Sequence, residues 1–559
     1  MARLRYAIRS LSKSPLLCLT VALSLGLGIG ANTAIFSLMH QAILASLPVA
    51  HPEELVLPTS LADLKNGRTS TGDAGHADHV FNYPVFRALE QHPEGLASIA
   101  AFRKLPANIA FRSQTIHGDA MVVSGRYFSL LGVQPELGRI LTPADDVPGA
   151  GNPVAVLSYN YWSGPLGAQP DALHQPIRVN GHVFTIVGVA PRGFNGITFG
   201  DQPNVFVPLS SKPLLTPGWN GTDRYDDYWL YLVARRKPGY SIKQSRDALN
   251  GVYRGILELQ ASTLHLNAKA AGDLLASKLE LQDGSHGNSN LRDDTRTPIL
   301  ILIGATAMVL LIAMANTANL LLARSAQRKK ELAIRAAIGA GRGELMSQLL
   351  TEAMLLAAGG ALAGFVIASL TLNFLVAQMG DGDTPVQFLT TALELPVLLY
   401  GIGLALLTGL VCGFYPAWDA ARTSAAATLK DAAGSVSSGR GVSRARRGLV
   451  CAQVMISAAL LIPTGLFLKS LVNLMRVDLG LKTDHVVAFT ISPEMNGYSF
   501  EACRALLARA ESDLAAIPGV SAVADANLPL IAGDNWGNSI SIPSVKIPDM
   551  QAKVNEVGP

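Results

Sequence analysis

"RSAQRKKELAIRAAIGAGRGELMSQLL", residues 324–350, decides how the rest of the chain is read. It stands between apolar runs. It is basic at its start, apolar in its middle, and punctuated by Gly339, Gly341 and Gly343. Residues 329–338, "KKELAIRAAI", are rich in strong helix formers. Leu332, Ile334, Ala337 and Ile338 give that helix an apolar surface, and Arg328, Lys330, Glu331 and Arg335 give it a charged rim. Glu331 and Arg335 are spaced to pair at i,i+4. The glycines allow a sharp turn into the next apolar run. Such a helix suits a protein partner or an anionic membrane surface, and its residues alone leave both open.

The chain around it has the balance of a membrane protein. Of 559 residues, 49% are hydrophobic and 15% charged, against about 25% charged in soluble domains. Mean hydropathy is +0.29. The formal charge of +4 is modest, and no nucleic-acid partner is expected. Cys18, Cys412 and Cys451 fall in apolar runs and Cys503 stands alone, so neither a disulfide framework nor a zinc site is expected.

Five apolar segments are long enough to cross about 30 Å of hydrocarbon as helices. They are residues 15–40, 298–323, 348–377, 395–417 and 449–474. The first exceeds a secretory signal core and has no convincing cleavage site, so it reads as a signal anchor. Basic residues mark the inner side. Residues 1–14 carry Arg3, Arg5, Arg9 and Lys13 without an acid. Residues 324–347 and 418–448 are likewise enriched in Arg and Lys, whereas 378–394 holds Asp381, Asp383 and Glu394 and no base. The amino terminus, the loop 324–347 and the linker 418–448 are therefore expected inside. The long segment 41–297, the short loop 378–394 and residues 475–559 are expected outside.

Segment 41–297 reads as an α+β domain, plausible as two lobes. Residues 82–92 and 241–260 have helical spacing. Residues 177–191 read as two strands about an Asn180-Gly181 turn, and 226–239 as a strand stopped by Pro238-Gly239. The domain has no phosphate loop, HExxH or Gly-x-Ser-x-Gly elbow. His76, Asp78 and His79 lack a matching ligand cluster, and Trp162, Trp219 and Trp229 read as packing aromatics. No catalytic, cofactor or metal residue is expected, and the chain is not expected to be an enzyme.

Gly26 and Gly30 in the first span, and Gly360 and Gly364 in the third, have the spacing of close helix packing. Asn316 and Asn319, at i,i+3 in the second span, are expected to hydrogen-bond a neighbouring helix. No span carries Asp, Glu, Lys or Arg in its central part, which argues against an intramembrane proton relay. A weak internal repeat is also visible. "FRALEQHPEGLASIAAF" (86–102) aligns loosely with "CRALLARAESDLAAIPGVSAV" (503–523). Both follow a span, a short linker and an expected strand. Residues 449–559 then read as the beginning of a second copy, cut short at "KVNEVGP", with more chain expected beyond.

"RKKELAIRAAIGAGRGELMSQLLTEAMLLAAGGALAG" (328–364) and "YPAWDAARTSAAATLK" (415–430) resemble the permease motifs of the FtsX-like/MacB-like family of ABC systems. "VSGRYFSLLGVQPELGRILTPADD" (123–146) and "VNGHVFTIVGVAPRGFNG" (179–196) resemble its outer domain, and "RYAIRSLSKSPLLCLTVALSLGLGIGANTAIFSLMHQAIL" (5–44) its duplicated orphan members typical of Acidobacteria. The tail "AAATLK" departs from the family's usual Pro followed by Glu-Ala. The resemblance implies an α-helical membrane protein of the bacterial inner membrane, with α+β periplasmic domains. It implies a permease subunit for transport or mechanical transmission. The alternative is a non-transport regulator of a periplasmic partner. It implies that Glu331, Ile334, Arg335, Ile338 and Gly339 meet an ABC ATPase. Because the 559 residues hold no GxxxxGK[ST] motif, ATP enters only through that separate ATPase subunit. A homodimer and a periplasmic substrate or partner are further expectations, with the lipid bilayer as surroundings.

Overall fold

The computed structural model describes residues 2–60, 67–71, 77–112, 114–149, 153–216, 218–288, 290–328, 331, 334–335, 341–379, 392–422, 440–477, 485–526, 537–540 and 550–553. An amphipathic helix, α1 (Ala2–Ser12), precedes the first span, α2 (Pro15–Met39). Pro15 sits in the first turn of α2, where its missing N–H is an orphan anyway.

The outer domain follows. Its main sheet has eleven strands. In chain order these are β1 (Leu55–Ser60), β2 (Val80–Phe81), β3 (Leu96–Phe111), β4 (Gln114–Val123), β5 (Leu137–Gly138) and β6 (Val154–Leu157). Then come β7 (Pro176–Val179), β8 (His182–Val189), β9 (Val205–Pro208), β10 (Leu230–Arg236) and β11 (Leu279–Asp283). The long strand β3 belongs to two lobes. Its first half pairs antiparallel with β10, which continues to β1 and β11. From Phe102 to Phe111 β3 pairs with β4, and the ladder runs on through β9, β6, β8 and β7. At Ile109 and Ala110 β7 pairs with β3 again, so this second lobe closes into a ring.

The two longest helices of the domain are α3 (Tyr83–Gln91) and α4 (Ile242–Thr263). Both are capped as their sequences require. Asn82 Oδ1 accepts from Val85 N at 2.8 Å, and Ser241 with Gln244 forms a reciprocal capping box. Their apolar faces, including Phe86, Leu89, Leu249 and Leu257, join the core below the sheet. The other sheet face packs Tyr127, Phe128, Phe194 and Phe206. Alternate residues of β9 serve the two faces, Val205 and Val207 one and Phe206 the other. A sheet covered on both faces explains why its strands read as continuous apolar runs.

Trp219 and Trp229 belong to this packing rather than to a groove. Their rings meet edge-on at 5.9 Å, and the buried Lys212 ammonium lies 4.1 and 4.6 Å from their centroids. Lys212 Nζ donates to Thr216 Oγ1 and to the Trp219 and Asn220 carbonyls. Trp162 is half-buried, its Nε1 donating to the Gln169 carbonyl at 3.0 Å. His79 lies 3.4 Å from Asn288 Oδ1, and His76 is outside the described residues.

The remaining spans are α5 (Asn290–Gln327), α6 (Arg342–Met379), α7 (Leu395–Arg422) and α8 (Arg440–Met475). They run past the expected limits at 298, 348 and 449, because the helices continue into their polar flanks. Helix α6 packs against both α2 and α7, and α5 against α2 and α7, making a four-span bundle that α8 joins through α5. Beyond α8 comes α9 (Phe500–Ala515), the helix expected from the repeat. The strand expected before it is not formed. Residues 486–492 are unpaired among the described residues, and Val487 is 86% exposed. In the first domain the corresponding strand, β1, gains its ladder from β10 and β11, elements far along the chain.

Candidate coupling site at the inner face

The site gathers where α1, the end of α5 and the start of α6 meet. Helix α5 carries two arginines one turn apart at its polar end, Arg324 and, just beyond it, Arg328. Arg324 Nη2 donates to the Ser10 carbonyl of α1 at 2.7 Å and approaches Ser10 Oγ at 3.3 Å. Arg328 Nη1 reaches the same hydroxyl at 3.3 Å. It also donates to both oxygens of Glu352 at 3.0 and 3.1 Å. Arg328 Nε donates to Glu331 Oε2 at 3.1 Å. Burial works against the Arg328 cation, but the two carboxylates outweigh it and raise its pKa above the ordinary value.

From Glu331 the network continues through the segment singled out by its sequence. Arg335 Nη2 donates to Glu331 Oε1 at 2.8 Å, the i,i+4 pair, and Arg335 Nη1 donates to Gln348 of α6 at 3.0 Å. Glu331, Ile334 and Arg335 are helical. Ile334 projects its apolar side chain outward at 54% exposure. Ile338 and Gly339 lie outside the described residues. The segment is thus tied to α6 at two places, Gln348 and Glu352, and through Arg328 to α1.

Glu352 was missed by sequence reasoning. It is 3% exposed, and it sits near the start of an apolar run, where a carboxylate is expensive unless paired. That cost was the available signal. Breaking such a pair leaves an uncompensated buried charge. A small pocket beside the pair is lined by Arg324, Arg328, Leu349, Glu352, Gly413 and Pro416.

The bundle above the network is joined through glycines. A Cβ on Gly26 would stand 2.9 Å from Ala363 Cβ and 3.3 Å from the Gly360 carbonyl oxygen. One on Gly30 would stand 2.7 Å from the Gly364 carbonyl oxygen. Gly360 and Gly364 face Leu25, Gly26 and Ile29 in return. Movement of α6 therefore bears directly on α2. Gly409 and Gly413 of α7 meet α6 as closely, at Met354 and Ala353, contacts the sequence reading did not name.

Among the described residues, neither Asn316 nor Asn319 makes a hydrogen bond to another span. Asn316 is half-buried without a recorded partner, and Asn319 Oδ1 is buried without one among the described residues. Asn32 of α2 makes the contact instead. Its Nδ2 donates to the Gly28 carbonyl at 2.9 Å and to the Thr306 carbonyl of α5 at 2.8 Å.

At the opposite end the spans enter the outer domain as a paired neck. Leu47 N donates to the Ser285 carbonyl at 2.9 Å, and His286 Nδ1 lies 3.1 Å from the Ala45 carbonyl. His40, just past α2, lies 3.2 Å from Glu394, just before α7.

Two family models match the chain. A MacB-like periplasmic core domain matches residues 19–252, and an FtsX-like permease C-terminal domain matches residues 303–425. The chain is 27% identical over 313 residues to the pyoverdine export ATP-binding/permease protein PvdT of Pseudomonas syringae pv. syringae, covering 55% of this chain and 40% of that protein. It is 27% identical over 312 residues to the macrolide export ATP-binding/permease protein MacB of Nitrobacter winogradskyi, covering 55% of this chain and 42% of that protein. The chain thus spans about two fifths of the length of these curated relatives. Among solved structures, the periplasmic region of MacB from Actinobacillus actinomycetemcomitans aligns with 44% of this chain and 92% of its own, at 14% identity and a TM-score of 0.29.

Proposed function

From the chain's membership of the FtsX/MacB-like permease family, as a multi-pass inner-membrane protein with a large periplasmic domain, we propose that it is an ABC-type permease subunit driven by a separate ATPase. The ATPase docks at the inner face on the segment around Glu331, Ile334 and Arg335. Its ATP-driven movement passes through Arg328 and Glu352 into α6, from α6 across the glycine contacts into α2, and from α2 through the neck into the periplasmic domain. That domain acts on a substrate or partner outside the membrane. The chain supplies the moving parts and no chemistry of its own. Membership among the duplicated permeases of Acidobacteria rests on the quoted motifs alone, and a homodimer of such chains is part of the same proposal.

The observation that carries this reading is the continuous ionic path from the exposed segment to the buried Glu352. A helix merely resting on lipid needs no such tie. The relatives named above join ATP-binding and permease functions in one protein by their names, whereas these 559 residues carry no phosphate-loop motif. The test is purification of the protein from its own cells in mild detergent at fixed salt. An ABC ATPase should copurify in near-stoichiometric amount, with its hydrolysis altered by the permease. Recovery without any ATPase, under conditions that preserve other membrane complexes, would contradict the proposal.

A further inference from the structure

The tip of the β7–β8 hairpin is a built seat. Asn180 has φ 47° and Gly181 φ 78°, the left-handed pair that a tight two-residue turn requires. Asn180 is only 3% exposed, and its side chain is held at both ends. Its Oδ1 accepts from Asn108 N at 2.8 Å, and its Nδ2 donates to the Leu215 carbonyl at 3.0 Å. Asn108 is fixed in turn, with His117 Nδ1 3.0 Å from its Oδ1. The seat is therefore rigid before anything sits on it.

Something does sit on it. The one-turn helix Pro493–Asn496 follows span five, and Gly497, at φ 81°, ends it. Asn108 Nδ2 faces Asn496 Oδ1 at 3.4 Å, across 388 residues of sequence. The Asn496 carbonyl group lies over Gly181 so closely that a Cβ there would stand 3.3 Å from both its atoms. A hydrogen bond of 3.4 Å is long, so the backbone lying over glycine carries the fit. Pro493 of the same turn is buried. A second, independent contact joins the same parts of the chain inside the membrane, where α8 packs against α5.

We infer that the turn 493–497 is the resident partner of this hairpin tip. The chain docks the outer part of its second repeat onto its own first outer domain, in cis. At this surface the protein needs no second copy. The inference stands apart from the ATPase reading, since neither contact touches the inner face.

The test uses the full chain with Cys503→Ser, Asn108→Cys and Asn496→Cys, and a protease site inserted in the linker 423–439. Sealed cells are treated with a short bifunctional thiosulfonate, then solubilised and cleaved. Most molecules should yield two halves that stay joined until reduced. Co-expressed, differently tagged chains carrying one introduced cysteine each should link at least tenfold less. Each variant with one introduced cysteine must label with an impermeant maleimide above the level of the parent that keeps only Cys18, Cys412 and Cys451, which confirms folding and insertion. Gly181→Asn keeps the left-handed turn accessible but adds the Cβ, and it should cut the linked fraction several-fold. No linkage within the chain, equal linkage between chains, or linkage indifferent to Gly181→Asn would each overturn the inference.

Discussion

Spans one and five each lead into an outer segment, yet their surroundings are opposite. The apolar stretch of α2 has mean hydropathy 1.7 and 44% of it is buried within the protein, whereas that of α8 has mean hydropathy 2.0 and holds no fully buried residue. The more apolar helix is the less packed. Lipid tails are as apolar as leucine, so hydropathy inserts a helix but does not hold it against another. What α2 has is small residues and a polar contact at the right places: Gly26, Gly30 and Asn32. In α8, a Cβ added to Gly448 or Gly465 would stand in open space, and Leu461 and Phe467 are 70% and 71% exposed.

The comparison breaks most visibly at the base of the bundle. Glu352→Leu removes the buried carboxylate that Arg328 meets through both oxygens, and breaking a buried pair costs about 3–5 kcal/mol. Fluorescence-detected size exclusion after heating should show a clear loss of monodisperse protein. An unchanged melting point would mean that the pair is not buried as described. Gly30→Val comes next. Its side chain must displace the Gly364 carbonyl or Ile367, and overpacking of this kind costs about 1–3 kcal/mol. Cysteine cross-linking between α2 and α6 should weaken, and an undiminished yield would remove the glycines from the account.

Smaller effects sharpen the contrast. Asn32→Leu removes the donor to the Thr306 carbonyl. Interhelical hydrogen bonds in membranes average about 0.6 kcal/mol, so thermal stability in detergent should fall slightly but measurably. Gly465→Val on α8 should stay within about 0.5 kcal/mol of the parent, as surface changes usually do. A large drop there would show that α8 has a close neighbour on that side.

The sequence made the spans readable because each is an unbroken apolar run. It made the Asn180-Gly181 turn readable because few residues tolerate positive φ. The Gly26, Gly30, Gly360 and Gly364 spacing was visible for the same kind of local reason, although which helices they would bring together was not. Glu352 was hidden inside a run whose average is apolar, and Asn32 inside another. Their partners, Arg328 and Thr306, lie 24 and 274 residues away. The ring of the outer domain was equally invisible, since it closes only where one 16-residue strand, already paired with its hairpin neighbour β4, also meets the distant β7. Residues 486–492 taught the reverse lesson. A strand-like pattern needs a ladder, and none of the described residues offers one.

The central claim is that the exposed segment at the inner face docks the ATPase and passes its movement upward. The most direct measurement compares the ATPase recovered with wild-type protein and with Arg335→Glu, Ile334→Asp and Gln327→Ala, in one detergent at one salt concentration. Size exclusion serves as the folding control for each. Arg335→Glu sets a carboxylate beside Glu331 and against the docking surface, and such juxtapositions cost several kcal/mol. Ile334→Asp replaces an exposed apolar contact with a charge. Both should insert and fold, yet lose most of the copurified ATPase, while Gln327→Ala keeps it. Wild-type recovery with both Arg335→Glu and Ile334→Asp would contradict the claim and leave the segment as a basic helix lying on the membrane surface.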